Sequence, residues 1–139
     1  MASTVRDVMT ADPVCLSPEA TLAEAARYMR DSDIGDVLVV DQGRLRGIVT
    51  DRDITVRAVA EGVDPQSCKV SQIASGTVVS VGANDPIEQA VSMMREHHLR
   101  RLPVCDGERP VGIVSIGDLA LERDRESALA DISGAPANR

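Results

Sequence analysis

The stretch Gly47-Ile48-Val49-Thr50-Asp51-Arg52-Asp53-Ile54 returns 65 residues later as Gly112-Ile113-Val114-Ser115-Ile116-Gly117-Asp118-Leu119. In both copies an apolar run leads to a hydroxyl, and an acid stands three positions beyond it. β-Branched residues ending on Ser or Thr, with an acid one turn on, describe a strand passing into a helix. The same offset aligns residues 5–54 with 70–119 without a gap: Val5 on Val70, Val14 on Val79, Ala25 on Ala90, Met29-Arg30 on Met94-Arg95 and Val39 on Val104. A duplication of this length is one supersecondary unit built twice. Two such units normally pack face to face, which makes the cleft between them the expected ligand site.

Working outward, each unit reads strand, helix, strand, strand, helix. Pro13 and Pro18 bracket Val14-Cys15-Leu16, a brief strand whose copy is Val79-Ser80-Val81. Leu22, Ala25, Ala26 and Met29 follow helical spacing, as do Ile87, Ala90, Val91 and Met94, with Asp85-Pro86 expected to supply an N-cap and the first helical residue. Val37 to Val40 and Leu45 to Val49 flank Asp41-Gln42-Gly43, a hairpin repeated around Asp106-Gly107. Pro103 within the second hairpin implies an edge strand, or one that starts where its N–H is not needed. Helices are expected over 51–60 and 116–126, and single turns over 5–9 and 70–74. The division is 1–64 for the first repeat with its lead and 65–127 for the second, with 128–139 as a flexible tail.

Composition narrows the function. Of 139 residues 43% are apolar, with no Phe or Trp and one Tyr, so the core is aliphatic, as in an α+β protein with α/β-type layers. The scarcity of aromatics removes the stacking platforms that single-stranded nucleic acid needs. A net charge of −7 leaves no broad basic face for a duplex or an anionic membrane. No apolar run reaches the ~20 residues of a membrane span. With no signal peptide visible and an odd count of 3 cysteines, the expectation is a cytoplasmic protein with reduced thiols.

The repeated unit resembles the CBS domain, and the pair resembles a tandem CBS (Bateman) module. The residues that carry the resemblance are Val8-Met9-Thr10, Gly47 to Ile54, Arg101-Leu102-Pro103-Val104 and Gly112 to Leu119. It covers nearly the whole chain apart from the tail. Tyr28-Met29-Arg30, Asp33-Ile34-Gly35 and His97 followed by Arg100-Arg101 further resemble short stand-alone pairs of the hypoxic-response group. The resemblance implies two CBS repeats related by a pseudo-two-fold axis and two nucleotide sites in the cleft between them. In such sites Thr50 and Ser115 touch phosphate, Asp53 and Asp118 touch ribose, and adenine lies against Val14-Cys15-Leu16 and Val79-Ser80-Val81. A homodimer, a four-unit disc and an adenine nucleotide ligand (AMP, ADP, ATP or a related adenosyl compound) follow from the same resemblance, with no cofactor required.

Independently of any family, a helix start offers free N–H groups and a positive dipole end to an anion, and an acid one turn on can accept from two ribose hydroxyls. The same Ser/Thr-x-x-acid pattern is also a capping box that contributes about 1 kcal/mol with no ligand present. The candidate ligand-binding set is Val14, Cys15, Leu16, Thr50, Arg52, Asp53, Val79, Val81, Arg100, Arg101, Pro103, Ser115 and Asp118. Arg100-Arg101 align with Gly35-Asp36. Two guanidiniums can grip phosphate in bidentate fashion, whereas a carboxylate repels it, so at most one strong phosphate site is expected. Surface pairing of both arginines with carboxylates is the competing reading.

His97-His98 end the second-half helix, where a cation is favoured by the dipole. Together with Cys15, Cys68 and Cys105 they supply ligand types for zinc, although no Cys-x-x-Cys or His-x-x-His spacing exists; His97 is the only metal candidate. Three free thiols are expected, with Cys15 and Cys105 packed as small hydrophobes. No nucleophile elbow, phosphate-binding loop or paired catalytic carboxylates are present, and the chain reads as a non-enzyme. The leading function is therefore a regulatory nucleotide sensor that signals through dimerisation or partner contacts. The alternatives are a ligand-free stress-response interaction protein with vestigial sites, and a metal or redox sensor using His97 and the cysteines.

Overall fold

The computed structural model describes residues 4–74 and 78–123. A 3₁₀ turn Val5–Asp7 leads to β1 Thr10–Ala11, β2 Cys15–Leu16, α1 Leu22–Ser32, β3 Asp36–Asp41, β4 Arg44–Thr50 and α2 Asp51–Asp53, which continues as a π-helical stretch Ile54–Val59. Then come α3 Val70–Ile73, β5 Val81–Gly82, α4 Ile87–His97, β6 Arg101–Asp106, β7 Arg109–Ser115 and α5 Ile116–Arg123. The repeated order and the α+β class match the sequence reading. The tail expected over 128–139 lies outside the described residues.

One sheet runs β1-β7-β6-β5 and the other β2-β3-β4. β2 is parallel to β3 (Cys15 opposite Leu38, Leu16 opposite Val39), and β5 is parallel to β6 (Val81 opposite Val104). Parallel neighbours need a crossover, which α1 and α4 provide. Two prolines set these short strands one residue out of step. Leu38 N donates to Val14 O at 2.8 Å, but its copy Pro103 has no N–H. Ala83 N donates to Cys105 O at 3.0 Å, but its copy Pro18 has none. β5 therefore starts one position later than β2 would place it. Pro103 sits in an interior strand, not at an edge, and Val79 falls outside β5.

Both hairpins use two-residue turns of different chemistry. Gln42 and Gly43 both have positive φ (52° and 77°), the type I′ pattern. In the copy only Gly107 does (63°), followed by Glu108, the type II′ pattern. α1 and α4 end alike, on Asp33 and His98 in the left-handed conformation, with Ile34 N bonded to Met29 O and Leu99 N to Met94 O. Their starts differ. Thr21 caps α1 by accepting from Glu24 N at 3.2 Å. The expected Asp85 cap on α4 does not form, because α4 begins at Ile87 with Pro86 in the cap position. Asp85 Oδ2 instead accepts from Gly82 N at 2.9 Å, and a Cβ at Gly82 would meet that carboxylate.

The chain divides into two compact units that cut across the two repeats. The lead through Ala11 joins Ser80–Gly107 and the chain from Val111, while Asp12–Val79 joins Glu108–Pro110. Each lead thus packs on the other repeat. Val5 N bonds Asp85 O and Arg6 N bonds Ala83 O, both at 2.9 Å. The same bonds recur between Val70 N and Ala20 O (2.7 Å) and between Ser71 N and Pro18 O (3.3 Å). Val5 and Val70, both 0% exposed, are the apolar anchors. The units in space therefore do not follow a single division of the chain at residue 64.

The unit holding the first repeat has a core built on Leu22, Ala25, Met29, Val37, Val49 and Val70. Ile87, Ala90, Met94, Leu102, Val104 and Val114 are the buried aliphatic residues of the second. Ala26, expected on the buried face of α1, is exposed, and Ala23 is buried in its stead.

Candidate functional site

β4 ends at Thr50, where the chain enters α2. Thr50 Oγ1 accepts from Asp53 N (3.1 Å) and Asp53 Oδ2 accepts from Thr50 N (2.9 Å). The copy is formed by Ser115 Oγ with Asp118 N (3.1 Å) and Asp118 Oδ2 with Ser115 N (2.8 Å). Both junctions are complete capping boxes. Only one oxygen of each carboxylate serves the box, and an ionised carboxylate has about four lone-pair sites, so capping leaves acceptor capacity for a hydroxyl. All four residues are half-buried.

The residue just before β3, and its copy just before β6, is tied to the junction of its hairpin. Asp51 N donates to Gly35 O at 2.9 Å, and Ile116 N donates to Arg100 O at 2.8 Å. Asp36 stands directly opposite Thr50 in the β3–β4 ladder. The charge contrast read from the sequence is therefore located at the junctions themselves: Gly35-Asp36 beside Thr50, and Arg100-Arg101 beside Ser115. Arg100 is exposed and Arg101 half-buried. Arg52, exposed in the first turn of α2, has Gly117 as its copy.

A second contrast lies one turn further along each helix, where sequence reasoning assigned nothing. Arg57 Nη1 donates to Ile73 O, the last carbonyl of α3, at 2.9 Å. The 65-residue offset maps Arg57 onto Glu122 and Ile73 onto Val8. Val8 and Glu122, with Asp118 and Leu121, line a cavity of about 220 Å³. The lead of the chain thus forms one wall beside Asp118. The offset was the available signal, but it needed the exchange of leads to acquire meaning.

The strand candidates divide by burial. Leu16 (8% exposed), Val81 (2%) and Pro103 are buried in the core. Val14 and Val79 are half-buried and Cys15 is exposed, as the alternation of a two-residue strand requires. Among the described residues β2 and β5 lie at the edges of their sheets.

All three cysteines are free thiols. Cys15 is exposed, contrary to the expectation that it packs as a hydrophobe, whereas Cys68 and Cys105 are buried. Burial pushes the Cys105 thiol up, against a Ser80 hydrogen bond that lowers it. His97 is exposed at the end of α4 and His98 is its C-cap. Among the described residues no group of three or more His, Cys, Asp or Glu is placed to hold a metal ion. A larger apolar groove of about 310 Å³ runs between α4 and α5 past Val91, Met94, Leu99, Ile116 and Leu119. Its lining is apolar apart from Arg95, which suits a partner surface better than a nucleotide.

The CBS-domain family model matches residues 5–59 and 70–124. The chain is 42% identical over 135 residues to the CBS domain-containing protein YhcV of Bacillus subtilis, covering 94% of this chain and 96% of that one. It is 40% identical to Hypoxic response protein 1 of Mycobacterium tuberculosis, covering 85% and 83%. A solved structure of Hypoxic Response Protein I with two coordinated zinc ions is 41% identical, with TM-score 0.77 and coverage of 84% and 96%. The CBS domain pair of protein MJ0100, solved with 5′-methylthioadenosine and S-adenosyl-L-methionine, is 25% identical, with TM-score 0.79 and coverage of 89% and 98%. The duplicated junctions, the two sheets and these matches agree: the chain belongs to the CBS-domain family, as a CBS pair, a regulatory module.

Proposed function

We propose that this CBS pair is a non-catalytic sensor that binds an adenine nucleotide or related adenosyl ligand at its strand–helix junctions and signals through contacts with a second copy or another protein. The observation that carries the reading is the Ser115–Asp118 junction, where two arginines, a hydroxyl, a carboxylate with spare acceptor capacity and a cavity occur together. Phosphate is suited to Arg100-Arg101 and the ribose hydroxyls to Asp118. The adenosyl ligands of the MJ0100 pair support the same class of ligand. No bond-making step is assigned to any residue. Residence in the cytoplasm fits the charge and the reduced thiols, and among the described residues no helix is long and apolar enough to cross a membrane.

For the partner, the α4–α5 groove, with Ile116 56% exposed beside it, is the face we assign to a second copy. Light scattering of Ile116→Lys should show a monomer where the parent is a dimer. For the ligand, thermal unfolding with adenosine, AMP, ADP, ATP and S-adenosylmethionine is the test. A ligand at 100 times its Kd adds about 2.7 kcal/mol, several degrees of Tm. No shift at millimolar concentration overturns the sensor reading. The zinc in the structure of Hypoxic Response Protein I favours one second reading, metal sensing through His97. Elemental analysis of untagged protein separates the two: zinc near one per chain supports it, and none ends it.

A further inference from the structure

We infer that the α4–α5 face docks on its own copy about a two-fold axis through Val91 and Ser92, with Glu88 paired to the partner's Arg95 and Arg95 to the partner's Glu88, and does not dock on the corresponding face of the first repeat. This rests on the second-copy reading above and specifies which surface the partner presents.

Three observations carry it. The first is the order of charges along α4. Glu88, Val91, Ser92 and Arg95 follow i, i+3, i+4, i+7 spacing on one stripe, in which Val91 is half-buried and the other three are exposed. Glu88 and Arg95 lie about 10 Å apart along the helix axis, beyond the spacing at which side chains of one helix meet. Among the described residues neither is ion-paired within its own chain. An antiparallel copy of α4 crossing at Val91–Ser92 brings each carboxylate to the other chain's guanidinium. That is the self-complementarity an isologous interface requires.

The second observation is the apolar surface beside the stripe. Ile116, 56% exposed, projects next to a groove of about 310 Å³ that Val91, Met94 and Leu119 also line. Under a two-fold rotation each copy supplies both the projection and the groove. Arg95 lines the same groove, so the charged stripe and the apolar surface are continuous.

The third is the first repeat. The 65-residue offset maps Glu88, Val91, Ser92 and Arg95 onto Ala23, Ala26, Arg27 and Arg30, and Ile116 onto Asp51. Ala23 is buried, and Arg30 is already bonded to Asp31 at 2.7 Å. Two copies of this stripe would set Arg27 against the partner's Arg27 at the axis, like charge on like. Crossed with α4, it answers Glu88 with Arg30 but leaves Arg95 facing Ala23. The α4–α4 arrangement satisfies both charges on both chains.

The test is sedimentation equilibrium of the whole chain and of charge variants at these exposed positions. Glu88→Arg and Arg95→Glu should each weaken self-association by about tenfold or more, because symmetry puts two like-charge contacts into one interface. Glu88→Arg combined with Arg95→Glu rebuilds both pairs in reverse order and should recover the wild-type association constant. Glu88 in the first turn and Arg95 in the last also suit the helix dipole. Were that their whole role, the double variant would associate most weakly, which overturns the pairing. Pairing with the first repeat predicts that Glu88→Arg weakens association, Arg95→Glu does not, and the double variant fails to recover; this too overturns it. Association unmoved by the charge variants yet abolished by Ile116→Lys overturns the charge pairing and leaves the second-copy reading intact. A monomeric wild type overturns the second-copy reading, and the pairing with it.

Discussion

The first and second repeats keep the same reciprocal cap at the strand–helix junction, Thr50 with Asp53 and Ser115 with Asp118, with bonds of 2.9 and 3.1 Å against 2.8 and 3.1 Å. Around that shared cap almost every chemical choice differs: Gly35-Asp36 against Arg100-Arg101, Arg57 against Glu122, an I′ turn against a II′ turn, and prolines at non-equivalent ladder positions. The cap is held by backbone geometry, which the fold needs in both copies. The flanking charges are half-buried or exposed, and the cap does not require them to match. The contrast shows that a duplicated fold can keep its architecture while the side chains around the shared cap change sign.

Three perturbations sharpen or break this contrast, in order of expected size. The first is all-or-none. Cys15 is exposed, while Cys105 and Cys68 are buried, so a maleimide in native buffer should modify Cys15 alone, and the other two only after denaturation. Mass spectrometry of peptides reads this directly, and early labelling of Cys105 contradicts the packing of β5 on β6. The raised Cys105 thiol adds a sign. Its neutral form is favoured in the fold, so its contribution is intact below the ordinary thiol pKa and is lost as alkaline pH ionises the unfolded chain first.

The second perturbation concerns the two cores. Leu22→Ala and Leu102→Ala, each at a position 0% exposed, should each cost about 2–5 kcal/mol in urea unfolding. Comparable losses mean that both units are packed to the same standard. A loss below 1 kcal/mol at either leucine would show that its unit collapses around the cavity.

The third and smallest effect tests the cap. Asp53→Ala and Asp118→Ala should each cost about 1 kcal/mol, equally, because both remove the same reciprocal bonds. Their ligand effects should be unequal, with AMP lost only on Asp118→Ala. Unequal stability costs would mean that the two boxes are not equivalent scaffolds.

Much of this was legible in advance because periodicity and a fixed offset survive translation into structure. Leu22, Ala25 and Met29 announce a helix face, Gln42-Gly43 announces a tight turn, and Thr50-x-x-Asp53 announces a cap. The exchange of leads was not legible. Shifting the chain by 65 residues maps an exchanged arrangement and an unexchanged one onto the same pattern, so Val5 and Val70 read identically either way. The burial of Leu16 and Val81 was also hidden, since a two-residue strand is too short for alternation to declare which side faces the core; Pro103 lies in β6, an interior strand buried on successive residues, where no alternation exists to read. Asp85 shows the same limit. Asp-Pro ahead of a helical pattern suggests a cap, yet the acid bonds backward to Gly82 N, a choice made by the β5 turn and invisible to local spacing. The different settings of Arg57 and Glu122 emerge only with α3 and the N-terminal lead beside them.

The most direct measurement is a crystal structure of the protein grown with AMP at saturating concentration. The account predicts one nucleotide per chain, with its phosphate on Arg100 and Arg101 and its ribose hydroxyls on Asp118. Nucleotide at the Thr50–Asp53 junction with its phosphate beside Asp36, or none at either junction, would contradict it.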